Sequence, residues 1–307
     1  MRFAVETWEP EYGTPGDTDA LDASTDVVTA DVERPLVAWE PQTPPPSDPP
    51  EVVYFVDGVR RIDARIWVTG EERVIGGSCA TVAAGTVACS HSTATVIDAR
   101  IVRGVFAPPT EGVGPIETSA GVYEYFPVRS GSPEDLYLGI HERMTDLETQ
   151  TVPRARSDDL IVFDGPLRRR TTERSVGLVK TQHVQYLDDT QLPVVGALGP
   201  GQRTPLFLIG SRGSTRWSWY LRLPSLRIHS WAGIVRCESP GAGTVEAAAS
   251  FADMVTSNLQ RFASEPHKES RAPQNLYPIK GLESTLRRRL GDQRLLERAL
   301  RTAAARS

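Results

Sequence analysis

The sequence predicts an α/β protein, a mixed β-sheet with helices packed against it, and three observations carry that prediction. Leu160, Ile161, Val162 and Phe163 form a short continuous apolar run between a polar Asp158-Asp159 entry and a Gly165-Pro166 exit, which marks a strand buried on both faces. Val52 to Gly58, reading VVYFVDG, gives the same pattern earlier in the chain, so two buried strands each deliver an aspartate, Asp57 and Asp164, at an Asp-Gly exit. Between them Ser132 to Gln150 has the signature of a helix. Ser132 stands as N-cap, Pro133 in the first turn and Glu134 and Asp135 near the positive end, with Ile140, Met144 and Leu147 at helical spacing.

Taken in order, residues 1–50 differ from the rest. Acidic residues crowd this segment against only Arg2 and Arg34, and it closes on TPPPSDPP, a stiff polyproline-like spacer; it reads as an acidic extension ahead of a domain spanning 51–307. Trp8 and the run Pro35 to Trp39 give it residues that can dock. After Asp57, the alternation of Ile62, Ala64, Ile66 and Val68 against Arg61, Asp63, Arg65 and Trp67 predicts a separate strand, an antiparallel neighbour of the Asp57 strand, with Asp63 in a surface pair with its arginine neighbours. Ser78 to Ala88 and Ala94 to Phe106 extend the meander. Val176 to Lys180 and Arg227 to Val235 read as further strands, Thr244 to Ala263 as a helix, and Leu282 to Ala305 as one final arginine-rich helix.

Composition excludes several classes of function. A net charge of -5 over 307 residues gives no field for nucleic acid, so any such contact needs a local basic surface. No apolar run approaches the roughly 20 residues that span a bilayer. The start MRFAVETWEPEYG lacks the regions of a signal peptide, so a cytosolic protein is expected. Cys79, Cys89 and Cys237 are odd in number and lack CxxC spacing, which points to buried small hydrophobes rather than a disulfide framework or a zinc site. The scattered histidines show no HExxH-type pairing.

The chemistry concentrates on the carboxylates. Glu148 falls at the edge of the apolar face of the Ser132 helix, and with Asp57 and Asp164 it makes an all-oxygen set of the kind Mg²⁺ or Mn²⁺ prefers. Lys180 ends its strand much as Asp164 does, placed to neutralise charge developing on a phosphate. The loop LRRRTTER supplies Arg168, Arg169, Arg170 and Arg174 for phosphates beside such a site. Arg222 stands beside Trp217, Trp219 and Tyr220, a combination that can stack unpaired bases, although core packing suits at least two of those aromatics.

The order of these pieces resembles the NurA nuclease family: a strand ending in Asp-Gly, a helix ending in a Leu-Glu pair, and a strand reading hydrophobic-Asp-Gly-Pro-Leu. The likeness continues through VGLVK (Val176 to Lys180), WYLRLP (Trp219 to Pro224), WAGIVRCE (Trp231 to Glu238) and NLYPIKGLE (Asn275 to Glu283), over roughly residues 50–290. The resemblance implies an RNase H-like core, a Mn²⁺- or Mg²⁺-dependent DNA nuclease, a homodimer, and partnership with a HerA-like hexameric ATPase in DNA end processing. It places Asp57, Glu148 and Asp164 as metal ligands. This chain departs from the family in lacking a histidine soon after Tyr277-Pro278. Glu283 is the nearest metal-binding side chain there, expected on the first turn of the last helix either as a fourth ligand or as an ordinary helix-start glutamate. The alternative to an enzyme is the same fold with a degraded site, serving as a dimeric platform for the translocase.

Overall fold

The computed structural model describes residues 22–23, 26–69, 74–110, 112–167, 172–181, 184–211, 214–224 and 229–306. In chain order it has β1 (Asp22–Ala23), β2 (Val27–Thr29), β3 (Val53–Thr69), β4 (Val74–Ser90), β5 (Thr93–Ala107), β6 (Ile116–Thr118) and β7 (Gly121–Pro127). Then come α1 (Pro133–Thr151), β8 (Leu160–Asp164), β9 (Ser175–Val179), β10 (Val184–Gln185), α2 (Leu192–Ala197), β11 (Phe207–Ser211), β12 (Ser214–Arg222) and β13 (Ile234–Pro240). The chain finishes with α3 (Val245–Leu259), α4 (Tyr277–Arg289) and α5 (Gln293–Ala304). No described helix is long and apolar enough to cross a membrane.

The chain divides into two compact units: residues 1–55, 89–92 and 155–280 in the first, residues 56–88, 93–154 and 281–307 in the second. The first carries a mixed sheet in the order β2-β11-β12-β13-β9-β8, with β8 and β9 parallel and the others antiparallel. The start of β3 joins its edge where the Leu160 amide donates to the Val52 carbonyl at 3.0 Å. Residues 26–50 belong to this unit. Trp39 is buried with Leu187, Val195, Phe207, Tyr220 and Ile234, and its indole N–H donates to the Ala30 carbonyl at 2.9 Å. Arg203, 1% exposed, holds Glu33 at 2.8 Å and Asp253 at 2.6 Å.

In the second unit the strand order is β3-β4-β5-β7-β6. Strand alternation gives β4 two different faces. Ala80, Val82 and Ala84 pack under Leu136, Ile140, Met144 and Leu147 of α1, while Cys79 on the other face joins Tyr123, Val105 and Leu300 of α5. The alanines let α1 approach closely. Gly85 does the same for α4, since a Cβ there would lie 3.1 Å from Leu282 and 3.3 Å from Leu286.

Several expectations change. β3 is one uninterrupted strand of 17 residues, so Asp57 is not at a strand tip and the strand expected at Arg61 to Thr69 is its continuation. A strand paired along its length needs no turn at an Asp-Gly step. Asp63 is buried rather than at the surface, accepting from Tyr123 Oη at 3.0 Å and Thr81 Oγ1 at 2.5 Å and pairing with Arg61 at 2.9 Å. The single final helix is two: Gly291 turns left-handed at φ 84° and Asp292 caps α5 by accepting from the Leu295 amide at 3.0 Å. Of the strand expected over Arg227 to Val235, Arg227 and Ile228 lie outside the described residues, and β13 begins at Ile234.

Candidate acidic site

In the second unit, α1 positions Glu148. Ser132 caps the helix by accepting from the Asp135 amide at 3.2 Å, and the Leu136, Ile140, Met144, Leu147 stripe fixes its rotation on the sheet. Glu148 is thereby buried, at 2% exposure, with its Oε1 only 2.6 Å from where a Cβ on Gly58 would stand and Met144 Cγ 2.7 Å away. A side chain at position 58 would force Glu148 and Met144 to shift. Asp57, the preceding residue and itself buried, accepts from the Gly58 amide at 2.7 Å. Two sequence-predicted carboxylate residues, Asp57 on β3 and Glu148 on α1, are thus both buried in this unit.

In the first unit, β8 ends at Asp164 as expected. Gly165 follows at φ 92°, which turns the chain out of the strand. Lys180, just past β9, donates to Asp164 Oδ2 at 2.7 Å and to Asn275 Oδ1 at 2.8 Å. The lysine is not a surface residue. Its side chain, 5% exposed, donates to both a carboxylate and an amide oxygen, which is how a buried charge is made tolerable. Asn275 went unassigned in the sequence, although it opens the NLYPIKGLE stretch; nothing but its place before Tyr277-Pro278 could have drawn attention to it.

The remaining predicted site residues are placed elsewhere. α4 begins at Tyr277, so Glu283 lies beyond its first turn, paired with Arg287 at 2.8 Å. Arg168, Arg169 and Arg170 lie outside the described residues. Because β8 and β9 are parallel, the connection between them must return to the starting end of the sheet, and this carries Arg174 away from Asp164. Its carbonyl accepts from the Ile161 amide and its Nε donates to the Asp159 carbonyl at 2.9 Å. Arg222 cannot reach a nucleic acid: it is 1% exposed, and its guanidinium donates to the backbone carbonyls of Leu198, Ala232, Gly196 and Ser230. Trp217, Trp219 and Tyr220 are likewise buried and offer no face to a base. All three cysteines are free and buried, and burial pushes the Cys79 thiol up to about 12.

Behind the Asp164 strand end lies a cluster that sequence reading did not assign. Glu238 of β13, 1% exposed, pairs with Arg236 and with Arg216 at 3.2 Å, and accepts the Leu167 amide at 3.0 Å. Tyr186 stacks against both cations, its ring centre 4.5 Å from Arg236 and 5.9 Å from Arg216. Burial raises the Glu238 pKa, but the two guanidinium groups and the Leu167 N–H outweigh it and leave the value below the ordinary 4.5.

The donor set Asp57, Glu148 is oxygen-only and buried, which fits a hard divalent ion in ligand type. Among the described residues no group of three or more His, Cys, Asp or Glu side chains stands together as a metal cluster.

No protein-family model matches the chain, and no curated protein matches it in sequence. Among solved structures it is similar to the endonuclease V from Bacillus subtilis, with 11% identity and a TM-score of 0.33 over 77% of this chain and 79% of that one. It is also similar to the NurA nuclease from Sulfolobus solfataricus, with 12% identity and a TM-score of 0.48 over 81% of each chain.

Proposed function

We propose that the chain is a metal-dependent DNA nuclease, RNase H-like in its core, that hydrolyses phosphodiester bonds. The observation that carries this reading is the burial of Glu148 against Gly58, the residue that follows the buried Asp57 on β3. A buried carboxylate is costly to desolvate, and the burial of two in one unit suits a cation-binding role. It also gives a physical role to the Asp-Gly and Leu-Glu pairs on which the family resemblance rests. Asp57 and Glu148 would hold Mn²⁺ or Mg²⁺, and Asp164 as a metal ligand rests on the sequence resemblance alone. When bound, such ions supply Lewis acidity toward a phosphate oxygen and a water of lowered pKa. Lys180 holds Asp164 in place and brings a positive charge to the same strand end. A homodimer working with a HerA-like hexameric ATPase is part of the proposal and rests on the sequence resemblance alone.

The second reading is a catalytically degraded binding module. It is favoured by the ammonium of Lys180, which sits on Asp164 at 2.7 Å where a metal ligand would need its lone pairs. One assay separates the two: a labelled duplex incubated with the purified protein and Mn²⁺ or Mg²⁺. The nuclease reading expects degradation that Asp57→Asn and Asp164→Asn each abolish while circular dichroism stays unchanged, because the amide keeps the volume and loses the ligand charge. Wild-type-like cutting by both variants removes the site, and an inert wild type leaves the binding module.

A further inference from the structure

The turn that follows Asp164 is anchored from an unexpected direction. Gly165, Pro166 and Leu167 fold back over β9, where Gly177 has no side chain: a Cβ there would stand 2.6 Å from the Leu167 nitrogen and 2.8 Å from the Gly165 carbonyl oxygen. This close approach brings the Leu167 amide to Glu238 Oε2 at 3.0 Å, across from β9 on β13, where Glu238 pairs in register with Gly177. Glu238 in turn is fixed by Arg236 and Arg216, and Arg216 is fixed by Asp26 at 3.2 Å. A buried ionised carboxylate flanked by two guanidinium groups is an expensive way to satisfy one backbone N–H. A neutral side chain or the sheet itself would serve an ordinary loop. The expense is intelligible if the position of this turn matters, and its position sets where β8 ends and therefore where the Asp164 carboxylate meets Lys180.

We infer that Glu238 is a positioning residue for Asp164, acting through the Leu167 amide and the glycine-lined seat at Gly177, so that the Arg216–Glu238–Arg236 cluster fixes the acidic strand end from behind. The inference rests on the nuclease reading only for its effect on turnover. The anchoring itself is a property of this unit.

The test uses three variants of the full chain. Glu238→Ala removes the acceptor, Glu238→Gln keeps an acceptor oxygen and the volume, and Gly177→Ala pushes the turn off its seat without touching a charge. Hydrogen exchange of the peptide carrying Leu167 should quicken about tenfold in Glu238→Ala and Gly177→Ala and less in Glu238→Gln. Labelling of Lys180 by an amine reagent should rise in the same order as its pair with Asp164 loosens. Turnover of duplex DNA should fall about 10- to 100-fold in kcat with KM within about twofold, and Glu238→Gln should recover part of it. If Glu238→Ala does not fold, Gly177→Ala and Glu238→Gln carry the comparison. Unchanged exchange and unchanged Lys180 labelling in folded variants overturn the inference, as does quickened exchange with wild-type kcat. A wild type that cuts no DNA overturns the nuclease reading instead, while exchange and labelling still decide whether Glu238 holds the turn.

Discussion

Glycine 58 shows how much a single residue can decide. In a reading from sequence alone an Asp-Gly pair signals a turn, and at Gly165, with φ 92°, that signal holds. At Gly58 the same pair sits inside a strand, and the glycine is there to admit the Glu148 carboxylate. Gly58→Ala should therefore destabilise the protein by about 1–3 kcal/mol through overpacking, as read by urea unfolding. Adding Glu148→Ala should restore part of that stability, with Met144 still crowding the added methyl, and none of the metal-dependent cutting. A Gly58→Ala protein as stable as wild type would show that Glu148 is not seated where described. Glu238 makes a prediction of a different kind. Its folded pKa lies below the ordinary 4.5, so the stability it adds is present above that value and is lost as pH falls through the folded value. Glu238→Gln should lower stability at pH 7 and flatten the acid limb of a stability–pH curve. An acid limb identical to wild type would contradict the ion pairing.

At the level of elements, the break between α4 and α5 depends on one left-handed residue. Gly291→Ala should cost about 1 kcal/mol because an alanine at φ 84° is strained, with the loss visible in thermal unfolding. A change within experimental error would mean that the link relaxes without strain. This link also marks the limit of what the sequence made legible. α1 could be read to within a residue because its cap, proline, acidic first turn and apolar stripe agree, and β8 because its apolar run is bounded by polar and Gly-Pro signals. The α4–α5 break was missed because leucines at helical spacing continue on both sides of Gly291 and outweighed it. β3 was cut in two for the converse reason, a local turn signal overridden by pairing. At the candidate site, the place of Asp164 at a strand end and of Glu148 on the packed face of α1 was legible from the apolar pattern, whereas the place of Asp57 inside β3 was not. Asn275 and Glu238 were not, since their partners lie 95 and 71 positions away and no local pattern announces them.

For the molecule as a whole, the acidic segment ahead of residue 51 falls within the first of the two compact units. The acidic segment from residue 26 onward is a working part of the first unit, because its charges are used. Glu33 meets Arg203 with both carboxylate oxygens, at 2.8 and 2.9 Å, and accepts the Leu206 amide at 2.6 Å. Glu33→Gln leaves a buried guanidinium with Asp253 as its remaining carboxylate partner and should cost about 1–3 kcal/mol. Limited proteolysis should then cut within residues 26–50 markedly faster than in the wild type. Equal cleavage rates would mean that this segment is held by Trp39 and β2 rather than by the ion pair.

The pairing of Glu33 with Arg203 joins residues 170 positions apart, and β2 finds its partner strand β11 at a similar remove. During synthesis Glu33 emerges long before Arg203 exists, so β2 waits for β11 while the residues between them are made. Such distant closures reward the chain only after the loop entropy has been met, which places the docking of residues 26–50 among the last events of folding. A segment made early is then among the last parts of its unit to be completed.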